Sequence, residues 1–226
     1  MRHTDVLASV GQLAAGVAHE IRNPLTVLRG VAARLRKFER LREDERSELL
    51  RMVDDEVDRM GHVVQNFLHL SRRSDGDPEL FRLRPVLERS LEILRVELSR
   101  SEIETALEWE ADDGLMIRGR PQVMHHVFLN LALNARSFMP EGGRLTVRVQ
   151  PRKSQVRILF EDTGPGVPAA IRSRIFDAFF TTRAEGTGLG LAFVDRVVTE
   201  HGGSVTVGGA PGGGASFQIT LPAVSG

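Results

Sequence analysis

The stretch LASVGQLAAGVAHEIRNPLTVLRGVAARL, Leu7 to Leu35, decides the first half of the fold. Apolar or small residues recur in it at Leu7, Val10, Ala14, Val17, Ile21, Leu25, Leu28, Ala32 and Leu35, in alternating steps of three and four. That is the heptad seam of a long helix. Polar residues from Arg36 to Asp44 interrupt it, and a second seam follows through Leu49, Val53, Val57, Met60, Val64 and Phe67. The pair reads as a helical hairpin. Two helices with one narrow stripe each cannot enclose a core, so pairing two hairpins into a dimeric four-helix bundle is the economical solution. A homodimer is therefore expected. A hairpin packed on the rest of its own chain is the other arrangement the seam permits.

Beyond the hairpin, SRRSDGDP at Ser71 to Pro78 concentrates turn formers and charges. It divides the chain into a hairpin over 1–72, a linker over 73–81 and a second domain over 82–226. The second domain has mixed periodicity. Helices are expected over 85–100, 120–138 and 189–201, and strands over 103–110, 145–149, 156–160, 204–207 and 215–221, where apolar and polar residues alternate. Helices on one face of a mixed sheet make an α/β sandwich, so the whole chain is classed α+β.

Composition excludes several function classes. With 41% hydrophobic and 27% charged residues in 226, the chain is an ordinary globular one. Lys+Arg and Asp+Glu stand at 30 each, so no overall field points to nucleic acid, and no nucleic-acid partner is expected. There is no cysteine, which removes disulfides, thiolate–zinc sites and thiol nucleophiles and fits a reducing, cytoplasmic location. No apolar run approaches the ~20 residues of a membrane span, so no membrane contact is expected of this chain. The first residues already read as helix interior, and a longer parent with a sensor or membrane anchor before Met1 is expected.

Four motifs carry chemistry. VAHEIRNPL, Val17 to Leu25, puts His19 beside the seam, where its ring is expected to be exposed. A histidine nucleophile needs one ring nitrogen with a free lone pair, and an acceptor such as Glu20 holds the proton on the other. Pro24 lacks an N–H and is expected to bend the helix just past the histidine. In NLALNA, Asn130 and Asn134 are four apart and share a helical face, where their amide oxygens suit Mg²⁺. EDTGPGV places Asp162 at a strand end ahead of Gly164 and Gly166, which allow close backbone approach. GTGLGL, with Gly186, Thr187, Gly188, Leu189 and Gly190, leads into a helix whose N-terminal N–H groups suit a triphosphate. Between the last two lies IFDAFFTTRAE, Ile175 to Glu185, whose Phe176 is either a pin for a mobile lid or plain core, with Arg183 placed near phosphates. No GxxxxGK[ST] occurs, which excludes a P-loop kinase.

These five boxes resemble, in order and over nearly the whole chain, the catalytic core of a bacterial two-component sensor histidine kinase. HEIRNPL is similar to the family's phosphoacceptor box, the resemblance extends to PEGG after the asparagine helix, and the closing HGGSVTVGGAPGGGASFQITLP is similar to the end of the family's ATP-binding domain. The resemblance implies autophosphorylation of His19 from Mg-ATP, with Asn130 and Asn134 as metal ligands and Asp162 receiving the adenine amino group. It implies transfer to an aspartate on a response regulator receiver domain, and phosphatase activity through Asn23, one turn beyond His19. Ala178 stands where the family commonly has proline, and Ser137 where a longer polar side chain is usual. Two other readings exist, a degenerate scaffold that binds a regulator without turnover and another member of the same ATPase superfamily, such as a chaperone or topoisomerase ATPase or a serine kinase acting on a partner. The second lacks an upstream hairpin carrying HEIRNPL.

Overall fold

The computed structural model describes residues 21–36, 41–71, 77–183 and 186–224. It forms two compact units, Met1–Arg73 and Ser74–Gly226. His19, Glu20 and the seam from Leu7 to Val17 lie outside the described residues.

In the first unit, helix α1 (21–35) and helix α2 (Glu43–Ser71) are the described elements. α2 starts where the sequence turns acidic: Glu43, Asp44 and Glu45 occupy its first turn, where negative charge complements the helix dipole. The Glu45 carboxylate also reaches back to accept from the Arg42 N–H at 3.0 Å, half of a capping box. Pro24, Val31 and Leu49 are buried, yet seam residues Leu25 and Val57 and neighbouring Leu50 stay 45%, 54% and 53% exposed. The seam therefore includes apolar surface that one chain leaves uncovered. α1 runs through Pro24 without a break, and the Thr26 hydroxyl donates to the Arg22 carbonyl at 2.9 Å in the same turn. Asn23 is thus helical and exposed, despite the bias of pre-proline residues away from helix.

Among its described residues the second unit has a seven-stranded sheet, three α-helices and one short 3₁₀ helix, Ala169–Ile171. Its elements are β1 (Glu79–Arg82), α3 (Leu83–Arg100), β2 (Ile103–Trp109), β3 (Met116–Gly119), α4 (Pro121–Ser137), β4 (Gly143–Arg152), β5 (Gln155–Asp162), α5 (Gly190–Glu200), β6 (Ser204–Gly209) and β7 (Ala215–Val224). The strand order is β1-β3-β7-β5-β4-β2, with β6 also pairing with β7. Among the described strands only β2 and β4 pair in parallel. Alternation builds the core: Leu145, Val147 and Val149 of β4 and Val156, Ile158 and Phe160 of β5 are buried against Phe128, Leu131 and Phe193 of the helices. The Phe128 and Phe160 rings stack with centroids 6.0 Å apart. Each such buried side chain contributes about 1.5–3 kcal/mol. The opposite face of the sheet is polar, with Arg148 bridging Glu108 at 2.6 Å and Glu161 at 3.0 Å.

Two elements correct the sequence reading. The stretch 73–81 assigned to a linker ends in β1, and β3 fell in no assigned element. Each has four residues, too few for a period of two to register. α3 begins at Leu83, before Pro85, because the Leu83 N–H finds a partner in the Leu115 carbonyl at 3.1 Å, a contact across the fold.

His201 ties α5 to the start of α4. Its Nε2 accepts from the Arg120 N–H at 3.1 Å and its Nδ1 donates to the Val197 carbonyl at 2.7 Å, an arrangement open only to the neutral ring. Burial pushes its pKa below the ordinary 6.5, and burial acts the same way on His125, whose Nδ1 lies 2.7 Å from Ser90 Oγ. A histidine kept neutral in the fold still takes up a proton when unfolded, so stability falls as pH drops through the unfolded pKa. The melting temperature of this unit is expected to be lower at about pH 5.5 than at about pH 7.5. A profile that stays flat across that window would remove this role for the two rings.

Candidate functional site

Four segments of the second unit converge. Asp162 occupies the fourth inward position of β5, after Val156, Ile158 and Phe160, and is 4% exposed. Its Oδ1 accepts two backbone N–H groups, from Gly164 at 2.9 Å and Ala215 at 3.0 Å. Burial raises its pKa and these two amides partly oppose the rise. With Oδ1 committed to the backbone, Oδ2 is the oxygen with lone pairs to spare. The arrangement suits recognition of one amine on a flat ligand.

Glycine makes the approach possible. Gly214, at φ +85°, lies so near the Asp162 carbonyl that a Cβ would stand 1.9 Å from its oxygen. Gly166, at φ +74°, would place a Cβ 2.9 Å from the Gly214 carbonyl. The loop after β5 and the turn before β7 thus interlock. Ala215 and Gly214 are site residues that the sequence reading missed. The run Gly212 to Gly214 between two strand patterns was the available signal.

On α4, Asn130 and Asn134 are half-buried on one face. The Asn130 amide nitrogen donates to the His126 carbonyl at 2.8 Å, which sets the carboxamide's orientation. Its Oδ1 would be 2.8 Å from a Cβ on Gly190, the first residue of α5. The asparagine row and the glycine-rich segment therefore meet. Among the described residues, α5 has no acidic residue in its first turn and no side-chain cap hydrogen bond at its N-terminus. Thr187 Oγ1 accepts from the Leu189 N–H at 3.3 Å just ahead of it. Amide oxygens are of the type that ligates Mg²⁺, whereas the backbone N–H groups at the helix N-terminus suit phosphate oxygens.

The phenylalanine and glycine segments are locked together. Phe179 adopts φ +67°, donates its N–H to the Gly188 carbonyl at 3.0 Å, and leaves no room for a side chain on Gly188, whose Cβ would stand 2.4 Å from the Phe179 carbonyl carbon. Phe176 is half-buried against the domain core and anchors the segment from below. Arg183 is exposed, with its guanidinium 5.9 Å from the centroid of the Phe138 ring, at the C-terminal end of α4. Ser137 donates to the Leu133 carbonyl at 2.8 Å, so its hydroxyl is spent on its own helix.

Comparison with known proteins identifies the arrangement. Residues 119–225 match the family model of histidine kinase-, DNA gyrase B- and HSP90-like ATPases, and residues 9–76 match the His Kinase A phospho-acceptor domain. The mycobacterial sensor histidine kinase MprB is 32% identical over 66% of this chain and 99% of that one, with a TM-score of 0.58. The chain belongs to the two-component sensor histidine kinases. This kinase core is 34% identical to the signal transduction histidine-protein kinase AtoS of Escherichia coli K12, over 98% of the core and 36% of AtoS. It shares its fold with the histidine kinase ThkA in complex with the response regulator TrrA, at a TM-score of 0.76 and 24% identity over 97% of this chain and 63% of ThkA. The kinase core spans about a third to a half of the length of the curated relatives it matches. Its C-terminal unit is an ATP-binding domain, and among the described residues no helix is long and apolar enough to cross a membrane.

Proposed function

We infer that this core binds Mg-ATP in the second unit, phosphorylates its own His19 and passes the phosphoryl group to an aspartate of a response regulator receiver domain. The observation that carries the nucleotide reading is the buried Asp162 carboxylate, braced by two backbone amides at one end of a site whose other end joins Asn130 to the N-terminus of α5. Asp162 takes the adenine amino group, Gly164 and Gly166 let the base approach, and Gly186 to Gly190 receive the phosphates. Asn130 and Asn134 would hold Mg²⁺, which when bound neutralises phosphate charge. His19 then attacks the γ-phosphorus through one ring nitrogen, the bond to the β,γ-bridging oxygen breaks, and ADP leaves with the electron pair. Glu20 takes the proton from the other ring nitrogen as positive charge builds on the ring. In the second transfer a carboxylate oxygen of the regulator attacks the phosphorus and the N–P bond breaks. The test is incubation with γ-labelled ATP followed by acid and alkali. A phosphoramidate loses its label in acid and keeps it in base, whereas label stable to acid would reject a histidine acceptor.

Exposure of Asn23 on an unbroken helix favours a second activity. A neutral amide there orients water in line with an aspartyl phosphate on a docked regulator without competing as a nucleophile. Asn23→Ala is expected to slow phosphate release from phosphorylated regulator by about tenfold or more, in the range of a lost positioning contact, with autophosphorylation retained. Equal release by wild type and variant would leave Asn23 without this role.

The uncovered apolar residues Leu25, Leu50 and Val57 support a homodimer through the hairpin, completing a four-helix bundle. Sedimentation at micromolar concentration is expected to give a mass near twice the 25.0 kDa of one chain. A lone monomer would count against the bundle.

A further inference from the structure

We propose that the outer face of α3 docks an acidic amphipathic helix of a partner protein. α3 carries two stripes with the period of helix packing. The inner one, Leu83, Leu87, Ser90, Leu94 and Leu98, is buried under the domain. The outer one starts at Arg82, the residue that precedes the helix, and continues through Val86, Arg89, Ile93, Val96 and Arg100, in alternating steps of four and three. That is the spacing of a seam against a second helix. It stands open. Ile93 and Val96 are 55% and 59% exposed, Val86 is half-buried, and all three arginines are exposed. α4 meets α3 elsewhere, through His125 with Ser90 at 2.7 Å and Arg136 with Glu97, and leaves the outer stripe uncovered.

Charge selects the occupant. Each acidic residue of α3 already has a cation, Glu88 with Arg84 at 2.7 Å, Glu92 with Arg95 at 3.3 Å and Glu97 with Arg136. Among the described residues no ion pair forms to Arg82, Arg89 or Arg100. The seam therefore presents positive charge at both ends and within an apolar strip. A helix with apolar residues against Val86, Ile93 and Val96 and carboxylates against the arginines meets both demands, and the arginine stems add apolar contact. The described helices of this chain have no such face to spare. Exposed Leu25, Leu50 and Val57 of α1 and α2 belong to the bundle proposed above, and the apolar residues of α4 and α5 lie in the core. A lipid surface fits less well, because interfacial helices carry bulky Trp, Phe or Leu on their apolar face, and this stripe has only valine and isoleucine.

The test uses the whole chain and two fluorescently labelled synthetic helices that differ only in charge. Both carry leucine at the seam positions, and the positions that meet the arginines are glutamate in one and lysine in the other. Anisotropy titration is expected to show the glutamate helix bound and the lysine helix weaker by about tenfold or more, since like charges then face one another. Ile93→Asp should weaken the glutamate helix by about tenfold or more, the loss of one apolar contact at the centre of the seam. The double variant Arg89→Glu with Arg100→Glu should reverse the preference and take the lysine helix. These side chains are exposed, and thermal melts check that each variant folds; if Ile93→Asp does not, Ile93→Ser with Val96→Ser replaces it. No binding, equal binding of the two helices, or a preference that survives the charge reversal would overturn the proposal. Two further results would overturn it in favour of another occupant. Sedimentation of Ile93→Asp as a monomer where the wild type is a dimer would put a second copy on the seam, and binding to phosphatidylserine vesicles that is lost on charge reversal, with neither helix bound, would put a lipid surface there.

Discussion

His19→Gln is expected to take no label from γ-labelled ATP while binding nucleotide as the wild type does. Glutamine preserves size and polarity but offers no nucleophilic nitrogen, because its amide lone pair is delocalised. The other histidines do not substitute. His201 has both ring nitrogens engaged, with the Arg120 N–H and the Val197 carbonyl. His125 is half-buried and bonded to Ser90, and none of the remaining five apart from His19 has the neighbouring carboxylate followed by a proline. Glu20→Gln separates the nucleophile from its base. It should still take label, at a rate lower by about 10²–10⁴-fold, the range of general acid–base catalysis. Label retained by His19→Gln would move the phosphorylation site elsewhere in the chain.

Asp162→Asn is expected to weaken ATP binding by about 10–150-fold, the equivalent of losing a hydrogen bond to a charged group, and to leave the fold at least as stable. Asparagine keeps an oxygen for the Gly164 and Ala215 amides, so the loop remains braced. The other carboxylate oxygen becomes an NH₂ group, which sets donor against donor at the adenine amine. Stability moves the other way because burial raises the Asp162 pKa. A carboxyl with a raised folded pKa costs stability when ionised above that pKa, and an amide carries no such cost. Asp162→Ala would confuse the two readouts by stranding two amides. Calorimetric titration and thermal melts on the same preparation check both halves, and the same variant should favour GTP relative to ATP, since guanine presents a carbonyl where adenine has its amine. Unchanged ATP affinity would dismiss Asp162 as the base-recognition residue.

Periodicity made most of the second domain legible. The strand alternation around Leu145 and Ile158 and the helices around Leu131 and Val194 sit within a few residues of their expected places, because each buries one face and the period records which. Boundaries set by long-range partners were not legible. α3 starts at Leu83 because Leu115, far along the chain, accepts its first N–H. β1 and β3 exist because β3 finds the end of β7 and β1 finds β3. That the guanidinium of Arg183 lies 5.9 Å from the centroid of the Phe138 ring, a neighbour distant in sequence, was not legible either.

Residue types and order by themselves determined the family, the hairpin and the chemistry available at each box: a nucleophile beside an acid, two amides four apart, an aspartate before glycines. Those are local facts, and a linear pattern carries them. Only the tertiary structure decided that Asp162 is braced from Ala215, 53 residues away, that Gly214 must be glycine because the Asp162 carbonyl occupies the space of its Cβ, and that Asn130 meets Gly190. Each is a short-range steric or hydrogen-bonding requirement between segments distant in sequence, so no window of the chain contains both partners. Close packing, which has no period, is what brings them within 3 Å or so of one another.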